Sequence, residues 1–324
     1  MKILIGPNEA SQRLDKFLRK LLKDVPLSAI YKTIRKGDIK INGKKAKEKY
    51  SLCEGDEVEI RDIKTSDNKE EKKKELKKLQ SLKTNFKVTY EDENILLIEK
   101  WPGILVHSDK KNGEPTLTDH VLAYLHEKGE YTPEKEITFT PASCNRLDRN
   151  TSGIVMFGKN FKALKDLNEM VRERGVEKYY VALVQGRIKD GIYKGHIVKD
   201  ERSNLSRVFK DKVANSKEIA MEVKTIQSNG LFSFIELTLI TGRSHQLRAH
   251  LASLGNPIIG DEKYGNKKMN SFFFNKFELD YQFLYAYKVI FKECPEKLEN
   301  LKNKTIAESL PPIFKKIKKD VFKF

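Results

Sequence analysis

The apolar positions of this chain change their spacing several times, and each change marks an element. Between positions 11 and 23, Leu14, Phe17, Leu18, Leu21 and Leu22 recur at helical spacing. Arg13, Lys16, Arg19, Lys20 and Lys23 stand outside that stripe, and Ser11 is the expected N-cap. Pro26 breaks the pattern. A second helix over positions 28 to 36 turns Ile30 and Ile34 inward and stops at Gly37. The period then drops to two: Ile39 and Ile41 alternate into the turn Asn42-Gly43-Lys44, and Val58 and Ile60 alternate after Gly55-Asp56.

Positions 69 to 83 are crowded with Lys and Glu and hold few apolar residues beyond Leu76, Leu79 and Leu82, which predicts either a short helix or a mobile charged linker. From Phe86 the composition becomes globular. Strands are expected at 88 to 91 and 95 to 99, paired across Asp92-Glu93-Asn94, with Pro102-Gly103 turning the chain into Ile104-Leu105-Val106. Leu117, Val121, Leu122 and Leu125 mark a helix, and Asn160 caps another through 174 with Leu164, Leu167, Met170 and Val171 inward. Strands follow at 179 to 185 and 232 to 240. Positions 245 to 254 read as a helix that ends at Gly255 and buries Leu247, Leu251 and Leu254, and 257 to 261 as a strand and turn. The run Phe272-Phe273-Phe274 and positions 283 to 291 supply late core, and the Lys-rich stretch 315 to 324 is expected to be frayed or to face RNA.

These elements divide the chain into a small helical and β module at 1–60, a charged linker at 61–85, a large domain at 86–300 and a basic tail at 301–324. A length of 324 residues agrees with about two domains. Strands dominate the large unit, so its expected class is α+β, built on a mixed, mainly antiparallel sheet.

Charge narrows the function. Lys and Arg total 63 against 46 Asp and Glu, a net charge of +17, and an anionic partner follows. Nucleic acid fits better than a membrane surface, because the excess is spread along the chain and not gathered on one amphipathic helix. Positions 1 to 60 carry 14 basic and 9 acidic residues and read as a compact RNA-binding module. Cys53, Cys144 and Cys294 lie far apart with no Cys-x-x-Cys pair, as expected of plain thiols in a reducing cytosol. The apolar run at the N-terminus is too short for a signal peptide and no window reaches the ~20 apolar residues that span a bilayer, so the expectation is a cytoplasmic protein without membrane contact. Nothing in the sequence demands more than a monomer.

The stretch with the most chemical content is Asn145-Arg146-Leu147-Asp148-Arg149-Asn150-Thr151-Ser152-Gly153, followed by the apolar run Ile154-Val155-Met156-Phe157. It places a carboxylate between two arginines in a turn at the edge of a buried strand. Two flanking guanidinium groups favour the anionic form of Asp148, which suits a group that attacks or accepts a proton. An arbitrary Arg-x-Asp-Arg is more often a structural ion pair in a surface turn, so context has to carry the assignment.

That stretch resembles the signature of the RluA-type pseudouridine synthases: a His or Asn, then Arg-Leu-Asp-Arg, an Asp or Asn, and Thr-Ser-Gly. Two further blocks match in order, Lys178-Tyr179-Tyr180-Val181-Ala182-Leu183-Val184 and Thr241-Gly242-Arg243-Ser244-His245-Gln246-Leu247-Arg248-Ala249-His250-Leu251. Upstream, Asn94-Ile95-Leu96-Leu97-Ile98-Glu99-Lys100-Trp101-Pro102-Gly103 resembles the first strand and turn of the same catalytic domain. The N-terminal pattern Ser-x-x-Ile…Ile-Arg-Lys-Gly-Asp-Ile-x-Ile-Asn-Gly-Lys is similar to the RNA-binding domain named after ribosomal small-subunit protein S-four.

The resemblance implies conversion of uridine to pseudouridine in RNA, in members so built commonly large-subunit ribosomal RNA, with transfer RNA as the alternative. That reaction needs no cofactor and no metal, and the sequence shows no phosphate loop, dinucleotide fingerprint or metal-like His/Cys cluster. By resemblance Asp148 is the catalytic carboxylate, either as nucleophile or as base and electrostatic partner of an eliminated sugar intermediate. Arg248 is its basic partner, and Tyr180 stacks on the target uracil and serves in the final proton removal, while Tyr179 on the opposite strand face is core. The target base must leave its helix, and Arg146 would fill the vacated stack. Asn145, standing where many members have His, and Arg149, Arg243 and His245 are expected RNA contacts around the site. Arg13, Lys16, Arg35, Lys36 and Lys44 are expected contacts on the N-terminal module. Two other readings remain open: a non-catalytic RNA-binding or ribosome-assembly protein, and a hydrolase pairing Asp148 with a histidine, which is weakened because the pattern sets no His near Asp148.

Overall fold

The structure, a computed structural model, describes residues 1–61, 69–108, 113–200 and 202–323. Two sheets form. In the first, β1 (Lys2–Leu4), β2 (Ile39–Ile41), β3 (Lys44–Lys45) and β4 (Glu57–Ile60) run antiparallel in the order β1-β4-β2-β3, covered by α1 (Leu14–Leu21) and α2 (Leu27–Lys36). Leu14, Phe17, Leu18, Ile30, Ile34, Ile39 and Val58 close one apolar cluster, so the helical and period-two stripes meet as expected. Gly37 ends α2 in the left-handed conformation. Ser11 is not the cap of α1: its φ is 64° and the helix begins later, at Leu14, behind Arg13. β1 escaped the sequence reading because three residues with no polar alternation carry no period; pairing with β4 makes it a strand.

This module is seated on the larger unit. Glu9 Oε1 accepts from the Thr138 amide and hydroxyl at 3.1 and 3.2 Å, Asn8 Oδ1 accepts from the Phe161 amide, and Ile137 packs on the module's core.

Of the charged segment, residues 62–68 lie outside those described. The rest forms a helix, α3 (Lys69–Ser81), and it is docked: Leu79 is buried against α4 (Leu117–Glu127), Lys78 pairs with Asp119 at 2.7 Å, and the Tyr131 hydroxyl donates to Glu75. One leucine stripe on an otherwise polar helix is enough to choose its side.

The second sheet has eleven strands among the described residues. Its main path contains β5 (Lys87–Glu91), β6 (Ile95–Lys100), β8 (Ser152–Gly158), β9 (Val176–Gln185), β10 (Gly191–Asp200), β11 (Leu205–Phe209), β12 (Lys217–Ser228), β13 (Phe232–Leu239) and β14 (Leu284–Phe291). The order is β11-β10-β12-β13-β9-β14-β8-β6-β5, with β7 (Ala142–Ser143) on β8 and β15 (Thr305–Ala307) on β14. All pairings are antiparallel except β14 with β8. A mixed, mainly antiparallel sheet is the class the sequence predicts. α5 (Phe161–Arg172) starts at Asn160, whose side chain accepts from the Ala163 amide as a cap should. α6 (Gln246–Ser253) and α7 (Lys267–Phe277) follow the sheet's last long hairpin.

Several expectations fail for physical reasons. Strands β10, β11 and β12 are absent from the sequence reading, because both their faces are partly wet and charged or polar residues interrupt the alternation. Phe272 and Phe274 are about half exposed: the run lies on a helix, so only Phe273 and Phe277 point into the core. The Lys-rich end is not frayed. It forms α8 (Pro312–Val321), which buries Phe314 and Ile317 and stacks Phe314 on Phe283 at 3.8 Å; Phe324 lies outside the described residues. Leu254 follows the last turn of α6 and stays exposed, and Tyr179 is half-buried under the Lys288 ammonium instead of in the core. Among the described residues no helix is long and apolar enough to cross a membrane.

Candidate active site

The turn before β8 is built from its own polar side chains. The Asp148 carbonyl accepts from the Thr151 amide at 3.1 Å, and Leu147 beside it is buried in the main core. Thr151 Oγ1 accepts from Gln282 Nε2 at 2.9 Å, tying the turn to the approach of β14. Gly153 is required here. Its φ is 121°, and a Cβ there would lie 2.3 Å from the Ala286 carbonyl oxygen, because β8 and β14 meet backbone to backbone. The Thr-Ser-Gly of the motif is therefore a docking surface for β14, and Asp148 rides at its end.

Arg248 reaches Asp148 from α6. Its Nη1 donates to Asp148 Oδ2 at 2.9 Å, while Nε and Nη2 donate to Asp261 Oδ2 and Oδ1 at 2.7 and 2.8 Å. Arg248 is 6% exposed and Asp261 0%, so the guanidinium is withdrawn from water and needs both carboxylates. Burial alone would lower the Arg248 pKa; the hydrogen bonds and charges of Asp261 and Asp148 outweigh it and raise it above the ordinary arginine value. Asp261 Oδ1 also accepts the amides of Lys263 and Tyr264, and the Tyr264 ring centroid lies 5.3 Å from the guanidinium carbon.

His245 joins this group. It sits in the left-handed conformation just before α6, and its Nδ1 shares a 2.8 Å hydrogen bond with the Tyr264 hydroxyl. Burial lowers its pKa against the opposing pull of the Asp148 charge. The sequence pattern set no histidine near Asp148; the fold brings this one within its electrostatic reach. His250, five positions on, is buried elsewhere, against Tyr193.

Tyr180 stands on β9 with only 5% of its surface exposed, and burial together with the Asp148 charge pushes its hydroxyl pKa up. Lys100, at the end of β6, is fully buried, and its Nζ donates to the carbonyls of Trp101 and Arg149 at 2.9 and 2.8 Å. Burial pushes the Lys100 ammonium down to about 7, against the Asp148 charge and with help from Arg149.

Asp148, Tyr180, Arg248 and His245 are thus brought together. Others are not. Neither arginine flanking Asp148 makes the ion pair their spacing suggested. Arg146 is exposed, and Arg149 turns to Glu114 at 2.9 Å and the Gly103 carbonyl at 3.2 Å. Asn145 is tied to the backbone, accepting from the Met156 amide and donating one N–H to the Ile154 carbonyl, and so fixes the start of the strand. Arg243 is exposed in the loop before α6. On the N-terminal module Lys16, Arg35, Lys36 and Lys44 are exposed, whereas Arg13 forks onto Asp15. Sequence reasoning missed Lys100, Asp261 and Tyr264. The available signals were a Lys closing an apolar strand before Trp-Pro-Gly, and the acid of the Gly260-Asp261 turn.

Residues 94–253 match the family model described as RNA pseudouridylate synthase, and residues 12–58 match the S4 domain. The ribosomal large subunit pseudouridine synthase C of Buchnera aphidicola subsp. Baizongia pistaciae is 34% identical over 98% of this chain and 96% of that protein. The chain belongs to the RNA pseudouridylate synthase family. This synthase is also 32% identical to the enzyme of the same name from Escherichia coli strain K12, over 83% of this chain and 81% of that one. Its fold is similar to that of human RNA pseudouridylate synthase domain containing 4, with a TM-score of 0.55, 23% identity, and coverage of 70% and 90% of the two chains. As an RNA pseudouridine synthase it isomerises uridine within RNA, breaking the bond from ribose to uracil nitrogen 1 and rejoining the base through carbon 5.

Proposed function

We propose that the synthase modifies large-subunit ribosomal RNA and that Asp148 is the carboxylate that engages the target uridine. The observation that carries the second part is the division of labour within Asp148. Oδ2 is held by Arg248, Oδ1 has no hydrogen-bond partner among the described residues, and the side chain is 24% exposed. A carboxylate fixed through one oxygen and free through the other is oriented for reaction while its charge stays compensated. Tyr180, beside Asp148 on the sheet side, gives the uracil a ring to stack on. Arg146, exposed beside the turn, fills the space left by the flipped base. The choice of ribosomal RNA rests on the names of the relatives, and with it goes a cytoplasmic site of action.

The test uses large-subunit ribosomal RNA transcribed with tritium at uracil carbon 5, incubated with EDTA. Rejoining the base at that carbon expels its hydrogen. Wild type is expected to release tritium and Asp148→Asn to release none. Release from transfer RNA alone would overturn the substrate, and full activity of Asp148→Asn would overturn the residue.

A further inference from the structure

The chain has a single tryptophan, and it stands in an unusual place. Trp101 is 37% exposed, its indole nitrogen has no hydrogen-bond partner, and no ring or cation packs on its face among the described residues. Tryptophan is normally among the most buried side chains on average, and its N–H normally finds a partner. Phe209, Phe272 and Phe274 are also exposed, but they sit on β11 and α7. Trp101 instead belongs to a turn stapled to the Asp148 loop. The buried Lys100 ammonium bridges the Trp101 and Arg149 carbonyls, the Gly103 amide donates to the Arg149 carbonyl at 3.0 Å, and Arg149 Nη1 returns to the Gly103 carbonyl. Any shift of this turn therefore moves with the residue next to Asp148.

We propose that Trp101 is a stacking platform for an unpaired RNA base flanking the target uridine. The inference rests on the reading of Asp148 as the centre of the reaction. With Arg146 in the place of the flipped target, an open indole face stapled to the Asp148 loop gives a flanking unpaired base a surface to stack on. The surroundings suit an RNA strand: Arg146 is exposed and the Arg149 guanidinium is partly so, which supplies positive charge for the phosphates. An aromatic face reads no base identity by itself, so the platform fixes the strand's path and leaves the choice of sequence to other contacts.

Because Trp101 is the only indole, its emission reports this position alone. The full-length Asp148→Asn variant is titrated with unmodified large-subunit ribosomal RNA transcript, which binds without turnover, and the emission is expected to be quenched in step with binding measured by filter retention. In the otherwise wild-type chain, Trp101→Ala is expected to raise the RNA half-saturation for tritium release about tenfold. Trp101→Phe, which keeps a ring face, recovers most of that loss, and Trp101→Leu, which keeps bulk without a face, does not. Unchanged emission on a chain that binds the RNA, or a Trp101→Ala protein with the wild-type half-saturation, would overturn the platform. Quenching and the Ala/Phe/Leu ranking in RNA binding, with no tritium released by the wild type, would keep the platform and overturn the proposed reaction centre instead.

Discussion

Asp261 takes two of the hydrogen-bonding nitrogens of Arg248, Nε and Nη2, and so aims the remaining Nη1 at Asp148. The guanidinium is planar, and a bidentate acid fixes both its position and its tilt. Asp261 in turn is fixed by two backbone amides and is fully buried. Asp148 is therefore oriented by a residue it does not touch.

Asp261→Asn is expected to lower single-turnover tritium release by about a hundredfold, because Arg248 loses its aim and a small displacement of a reacting group has that order of cost. It also leaves a buried cation with one carboxylate and should cost about 3–5 kcal/mol in urea unfolding. Arg248→Lys should fare no better, since an ammonium is one point and cannot span both acids. An Asp261→Asn protein of reduced stability but undiminished rate would show that Asp261 serves only the fold.

Lys100 supplies a pH dependence. Its ammonium is pushed down to about 7 in the folded chain, from an ordinary value of 10.5. Between those two values the unfolded chain binds more protons at this site than the folded one, so stability rises with pH through that window and is lowest below it. The difference in urea midpoint between wild type and Lys100→Met should shift in favour of wild type from pH 7 towards pH 9. A difference that is flat with pH would mean that Lys100 stays charged in the fold.

The exposed cations of the S4 domain should act through phosphates. Replacing Lys16, Arg35, Lys36 or Lys44 by Gln is expected to weaken binding of all structured RNAs alike and to lower the slope of log affinity against log salt by about 0.7–0.9 for each phosphate that is no longer neutralised. Arg13→Gln should change the slope less, because its guanidinium already serves Asp15. A slope that none of these changes moves would place the RNA on another face.

Whatever depends on near neighbours is legible in the chain alone. The helices of the N-terminal module, the Asn160 cap, the β5–β6 hairpin and the Asp148 turn all rest on residues within a few positions of one another, where period, capping and turn chemistry are written directly. The resemblance of four ordered blocks supplied the partner of Asp148. Burial and distance, in contrast, belong to the packed molecule. The Lys100 contact to the turn spans 49 positions, and Arg248 reaches Asp148 across 100. Asp261 sits 13 positions beyond Arg248, in a turn where an acid is visible in the sequence but its partner is not. α3 and α8 looked like solvated charge runs until one or two apolar residues on each found the core, and the phenylalanine run looked like core until a helix split it between two sides. Side-chain period tells which residues share a face; only the packed chain tells which faces meet, and the aim of Asp148 depends on three that do.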